Sequence, residues 1–181
     1  MKIVISVLSL LTVLAVSQCY AGREIAVTTS SFKGGEEVDA RYRNDGDNIS
    51  PALAWENIPE GTKEIVVICD DPDAPYGTFT HWIVFNIPPV ARGLKEGVSS
   101  SDIPDHEIKF GRNDFNGSGY DGPRPPWGVH RYYFKVYAVD TTLGLDSGAS
   151  RKEVLDAMKG HVLAEGQVMG KATARPRRTG Q

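Results

Sequence analysis

The sequence predicts a mainly β protein, an all-β sandwich or Greek-key architecture. Three observations carry this. Short apolar or β-branched runs recur along the chain, Gly, Asn, Asp and Pro punctuate them, and only one stretch has helical periodicity. A chain of 181 residues suits a single domain with an adequate core.

The first segment lies outside that fold. Met1-Lys2 gives a positive start, an apolar stretch runs from Ile3 to Val16, and small residues lead to Ala21. This is the three-part pattern of a secretory signal peptide over residues 1–21, and the apolar run is too short for a comfortable membrane span. The expected mature domain is 22–181, with a basic tail from about residue 173, and the expected location is periplasmic or secreted.

The strand candidates follow in order. Ile25–Thr28, Val38–Tyr42 and Leu53–Trp55 are short and bounded by turn residues. Ile65–Cys69 is a continuous run, the pattern of a strand covered on both faces. His81–Ile87 comes next and stops at Pro88-Pro89. Tyr132–Val139 is the longest aromatic strand, and Gln167–Met169 makes a short last one. The one helix begins at Ser150, with Glu153 completing a capping box. Val154, Leu155, Met158 and Val162 form its apolar stripe, and Gly160 can end it.

Residues 111–128 fit no regular element. A long irregular loop inside a compact domain is functional or disordered. Phe115, Tyr120 and Trp127 argue that this one is ordered on the body.

Charge excludes one class. The net charge is −3, and loss of Lys2 with the leader makes it −4, so there is no overall basic footprint for nucleic acid. Arg175, Arg177 and Arg178 sit in a Pro/Gly-containing tail and read as a solvated end. Cysteine use is minimal. Cys19 leaves with the leader, so Cys69 stands alone without a disulfide partner and reads as a small buried hydrophobe.

The chemistry concentrates at strand ends. Asp70-Asp71-Pro72-Asp73-Ala74-Pro75 follows the buried run directly. Proline fixes φ and lacks an N–H, so this acidic turn neither continues a central strand nor enters a helix. It can simply satisfy its own backbone through Asx bonds, or it can place a carboxylate in a pocket. There, an Asp accepting from a ring N–H would fix an imidazole's tautomer. His81 and His130 each open a strand and are the candidate imidazoles. His106 reads as surface. Arg131 neighbours His130 on a strand, points to the opposite face, and reads as an ion-pair partner.

Several motifs together resemble one family. They are Asn48-Ile49-Ser50-Pro51 with Trp55, the turn Asp70 to Pro75, His81-Trp82, Gly122-Pro123-Arg124-Pro125-Pro126, and Gly128-Val129-His130-Arg131-Tyr132. In this order they look like the phosphatidylethanolamine-binding protein family, in its bacterial Raf kinase inhibitor-like branch. The resemblance covers roughly residues 24–172. It implies an antiparallel Greek-key β-sandwich with a few peripheral helices and a small anion pocket at the strand ends. The pocket residues it implies are Asp71, Pro72, Asp73, Pro75, His81, Gly122, Pro123, His130 and Tyr132. The implied ligand is a phosphate-like or phosphoethanolamine-type group.

The physical reading is compatible with such a pocket. His81, His130, the Tyr132 hydroxyl and loop N–H groups are donors for phosphate oxygens. Asp71 is expected to orient a histidine, or Asp73 to accept from a ligand ammonium. Pro75, Pro123 and Trp82 are expected as apolar walls. Gly170-Lys171-Ala172 departs from the pattern, lacking the aromatic many relatives carry near the chain's end.

The function expected is therefore a non-enzymatic binding protein with no cofactor and no metal. The alternative is an interaction or inhibitor module acting on a protease or kinase-like partner. A His/Asp hydrolase or a 2-His-carboxylate metal site is the third class, and the chain has no G-x-S-x-G, H-E-x-x-H or Walker motif to support it.

Overall fold

The computed structural model describes residues 24–176. The expected leader over residues 1–21 and the tail residues Arg177 and Arg178 lie outside the described residues.

Two antiparallel sheets make up the body. The smaller consists of β1 (Ala26–Thr28), β2 (Leu53–Glu56) and β5 (Gly93–Leu94), in the order β1-β2-β5. The larger consists of β3 (Glu64–Asp71), β4 (Phe79–Ile87), β6 (Lys109–Phe110), β7 (Val129–Val139) and β8 (Val162–Thr173). Its order is β6-β4-β3-β7-β8, with every neighbouring pair antiparallel. Among the described residues there is one α-helix, α1, spanning Arg151–Met158.

Strand β3 is central, and all eight of its residues are buried. Its odd-numbered side chains, Ile65, Val67 and Cys69, join Trp82, Val84, Tyr132, Phe134 and Val136 in the main core. Leu53, Trp55 and Leu94 of the smaller sheet complete that core. The even-numbered Val66 and Ile68 face the other way, toward Ile83, Phe85, Val154 and Met158. The apolar stripe of α1 thus covers the back of the larger sheet. Burying a large aliphatic side chain contributes roughly 1.5–3 kcal/mol, so a strand covered on both faces needs a continuous apolar run. Cys69 is fully buried and unpaired, as a small hydrophobe should be.

The helix start agrees with its cap. Ser150 Oγ accepts from Glu153 N, and Glu153 Oε2 accepts from Ser150 N at 2.8 Å. Its end comes earlier than the apolar stripe implied. Gly160 takes φ +83°, His161 N donates to Met158 O, and Val162 opens β8 instead of extending the helix.

Two other expectations are corrected. Val38–Tyr42 is not a strand: Ala40–Tyr42 forms one turn of 3-10 helix, with Asp39 Oδ1 accepting from Arg41 N at 2.9 Å. Local side-chain bonding of this kind competes with extended pairing. The last strand is twelve residues long rather than three, because β8 pairs with β7 along its whole length. Its Gly and Ala residues lower the apparent strand propensity, yet packing requires them. A Cβ on Gly166 would lie 1.8 Å from Ile25 O, whose chain crosses there.

Candidate functional site

The site forms where β3, β4 and β7 end together. The acidic turn after β3 has two jobs. Asp71 Oδ1 accepts from Asp73 N at 2.8 Å, which closes the turn. Asp71 Oδ2 lies 2.8 Å from Nδ1 of His130 at the start of β7. Both readings of the aspartates therefore meet in one carboxylate. It only accepts, so Nδ1 of His130 carries a hydrogen and the ring is held by that contact.

A bulge brings in the second histidine. Cys69 pairs with Trp82, and Asp70 pairs with Thr80, so His81 is an extra residue in β4. Strict alternation would put His81 on the face opposite Trp82. The bulge re-aims it, and its ring centroid stands 5.0 Å from that of Tyr132, edge-on. Phe79 and Phe115 complete the ring cluster at 5.2 and 5.4 Å from His81.

The irregular loop positions His81. The carbonyls of Asp121 and Gly122 lie 2.6 and 3.1 Å from its Nδ1. Gly122 has no alternative: a Cβ there would stand 2.2 Å from Tyr42 O. The loop itself is held by the Asp121 carboxylate, which accepts from the amides of Asn44, Asn48 and Asn113 at 2.9, 3.1 and 2.8 Å. Asn48 Oδ1 accepts in return from Gly122 N. Pro123 O accepts from Asn44 N.

The cluster is nearly closed to water. Asp71, His81 and His130 are each 3% exposed, and Tyr132 is fully buried. The Tyr132 hydroxyl and Trp82 Nε1 are buried without a hydrogen-bond partner among the described residues. Such orphans are costly and call for an explanation. Burial lowers the pKa of His81, against the raising effect of the Asp121 and Gly122 carbonyls and of Asp71. Burial, reinforced by Asp71, raises that of the Tyr132 phenol, which therefore stays protonated.

The other expected residues are placed differently. Asp73 turns outward and binds Arg131 Nε and Nη2 at 2.8 and 2.7 Å, with a third bond from Arg131 N. It is thus engaged by the protein rather than free for a ligand ammonium. The Arg131 hydrogen bonds hold its carboxyl at about 2. Pro72 and Pro75 are exposed on the turn, whereas Gly122 and Pro123 are buried in the loop. Trp82 is a core residue packed edge-on against Tyr120, not a wall of an open pocket. His106 is half-buried, donating from Nε2 to Asn86 O at 2.6 Å.

Asp70, the first acid of the turn, faces the back of the sheet. It accepts from Thr80 Oγ1, Lys135 Nζ and Arg151. Burial works to raise its pKa, but Arg151 and Lys135 together hold it below the usual carboxylate range. It anchors the first turn of α1 and takes no part in the site.

A crevice of about 450 Å³ is lined by Asp73, Trp127, His130, Arg131 and Lys171, with Arg131 and Lys171 paired on the sheet face opposite the His130 side chain. A larger depression of about 920 Å³ holds Phe115, Arg124, Pro125, Pro126 and Arg175. Among the described residues, no group of three His, Cys, Asp or Glu side chains is arranged to hold a metal ion. Sequence reasoning missed Asn44, Asn113 and Asp121 as supports of the site. Their only local signal is an Asn- and Gly-rich composition, which marks any turn.

Comparison with known proteins adds a consistent result. The family described as phosphatidylethanolamine-binding protein matches residues 28–173. A UPF0098 protein of Methanothermobacter thermautotrophicus is 49% identical over 143 residues, covering 78% of this chain and 94% of that one. The UPF0098 protein YbhB of Escherichia coli is 46% identical over 129 residues, 68% of this chain and 81% of its own. The crystal structure of Escherichia coli YbcL, described as a new member of the mammalian PEBP family, superposes with a TM-score of 0.77. It is 33% identical, with 84% of this chain and 99% of that chain covered. Motifs, fold and similarity agree, and the chain belongs to the phosphatidylethanolamine-binding protein family.

Proposed function

We propose that this protein is an exported, non-enzymatic binding protein for a small anion, a phosphate or the phosphate of a phosphoethanolamine-type headgroup. The observation that carries the reading is the Tyr132 hydroxyl, buried without a partner beside the Asp71–His130 pair and His81. An orphaned donor among two oriented imidazoles is what an oxyanion would satisfy. The family description and the names of the relatives support the same ligand class. Catalysis has little to work with: the Cys69 thiol is fully buried, and burial pushes its pKa well up, away from a reactive thiolate. Export rests on the leader pattern in residues 1–21.

Isothermal titration of the full chain with phosphate and with phosphoethanolamine tests the reading. A hydrogen bond to a charged group contributes about 1.5–3 kcal/mol, so His130→Ala should weaken binding roughly tenfold to a hundredfold. Equal affinity for wild type and variant would remove the histidine from the site. N-terminal sequencing of protein from the native cell checks export, and an intact Met1 would overturn it.

A second reading, an interaction module, has one observation in its favour. Trp127 is 61% exposed on the crevice beside the Asp73–Arg131 pair, where a partner's side chain could dock.

A further inference from the structure

We infer that the site selects an oxyanion carrying its own proton, phosphate or a phosphomonoester, over sulfate, and that Nε2 of His81 is the acceptor that reads this proton. The inference rests on the reading of the site as an anion pocket and names the ligand state it takes.

The argument starts from donor and acceptor roles. Carbonyl oxygens only accept, so the contacts from Asp121 O and Gly122 O require the hydrogen of His81 to sit on Nδ1. A neutral His81 then presents a bare lone pair on Nε2, which makes no hydrogen bond among the described residues. The groups around this ring are few. Asp71 faces it from β3, Tyr132 from β7, and the Asp121 and Gly122 carbonyls from the loop, with Phe79 and Phe115 as apolar walls. His130 is held beyond Asp71. Asp71 and the carbonyls favour an imidazolium, while loss of water disfavours it and prevails.

Asp71 is already engaged by the protein through both oxygens. Its Oδ1 is committed to Asp73 N and its Oδ2 to His130. Around His81 and Asp71, the polar atoms without a hydrogen-bond partner among the described residues are the Tyr132 hydroxyl, the His130 Nε2 and the His81 Nε2, while Trp82 Nε1 lies in the core. The hydroxyl donates to an anion oxygen. A bare Nε2 repels a fully deprotonated oxyanion but accepts from a P–OH group. Sulfate has no proton to offer at neutral pH. Sites built around a specific hydrogen bond reject analogues that lack it far more strongly than shape alone does.

The test uses the full chain at pH 7.5 and isothermal titration with phosphoethanolamine and with sulfate, in two buffers of different ionisation enthalpy. A phosphomonoester has its second pKa at about 6, so at pH 7.5 it is mostly dianionic and must gain a proton to bind in this way. The expected result is sulfate at least tenfold weaker and uptake of about one proton per phosphoethanolamine bound. His81→Asn keeps a donor for the two carbonyls and lacks Nε2, so it should lose phosphoethanolamine affinity at least tenfold and abolish the preference over sulfate. Equal affinities in the wild type, or no proton uptake, would overturn the inference and leave the anion site standing. A preference for phosphate that survives in His81→Asn overturns the assignment to His81. Failure of both anions to bind overturns the reading of the site itself.

Discussion

Asp71 Oδ2 and His130 Nδ1 lie 2.8 Å apart, and each side chain is 4% exposed. The pair joins the end of β3 to the start of β7 across the mouth of the candidate site. Its burial makes each partner depend on the other.

Removing one partner should cost more than removing both. His130→Ala leaves the buried Asp71 Oδ2 without its donor, a loss of about 1–3 kcal/mol for an unsatisfied buried acceptor. The double variant His130→Ala with Asp71→Asn leaves no uncompensated charge. Urea unfolding of the four members of the cycle should give a coupling of about 1–3 kcal/mol. Additive effects would show that the pair is not an energetic unit.

His81 should make stability pH-dependent on the acidic side. Its folded pKa lies below the ordinary 6.5, so the unfolded chain binds the proton more readily. Stability from this group is full above the unfolded value and is lost as pH falls below 6.5, until the folded form also titrates. Nitrogen-15 spectra of the imidazoles should show His81 neutral, with hydrogen on Nδ1, at pH 6.5. A His81 already half-protonated there would refute the role assigned to burial.

The Asp73–Arg131 pair acts at lower pH. With Asp73 held at about 2, its contribution is present above the unfolded carboxylate value of about 4 and fades as pH falls toward 2. Both side chains are partly exposed, so salt should screen much of it. In thermal melts between pH 2 and 4, Arg131→Gln should flatten the pH dependence and leave anion affinity nearly unchanged. A large loss of affinity would place Arg131 in the site.

The loop support can be tested at two points. Asp121→Ala strips the acceptor from three Asn amides and should destabilise the protein by about 1–3 kcal/mol. Limited proteolysis should then cut within residues 113–122. Gly122→Ala forces a Cβ against Tyr42 O at 2.2 Å and should cost about 1–3 kcal/mol through backbone displacement. Wild-type resistance to cleavage in both variants would show that the loop is held by other contacts.

The sequence by itself determined the elements whose residues point to one answer. β3 needed only its β-branched run, because a strand buried on both faces admits nothing else. The start of α1 needed only Ser150 and Glu153, because a capping box is local. The motifs at Asp70 to Pro75 and Gly128 to Tyr132, with His81-Trp82 and the Gly-Pro-rich loop in order between them, were sufficient to place the chain in its family. Tertiary structure decided what depends on distant partners. β8 hides its length behind residues such as Gly166, whose missing Cβ admits the close passage of Ile25 at the expense of strand propensity. Asp70, Asp71 and Asp73 look alike in a turn, yet they bind Arg151, His130 and Arg131 on three different fronts. The bulge that turns His81 inward is a matter of register between β3 and β4, and register is set by the packing of both faces. A carboxylate's role follows from the cation or ring it meets, and only the folded chain brings the two together.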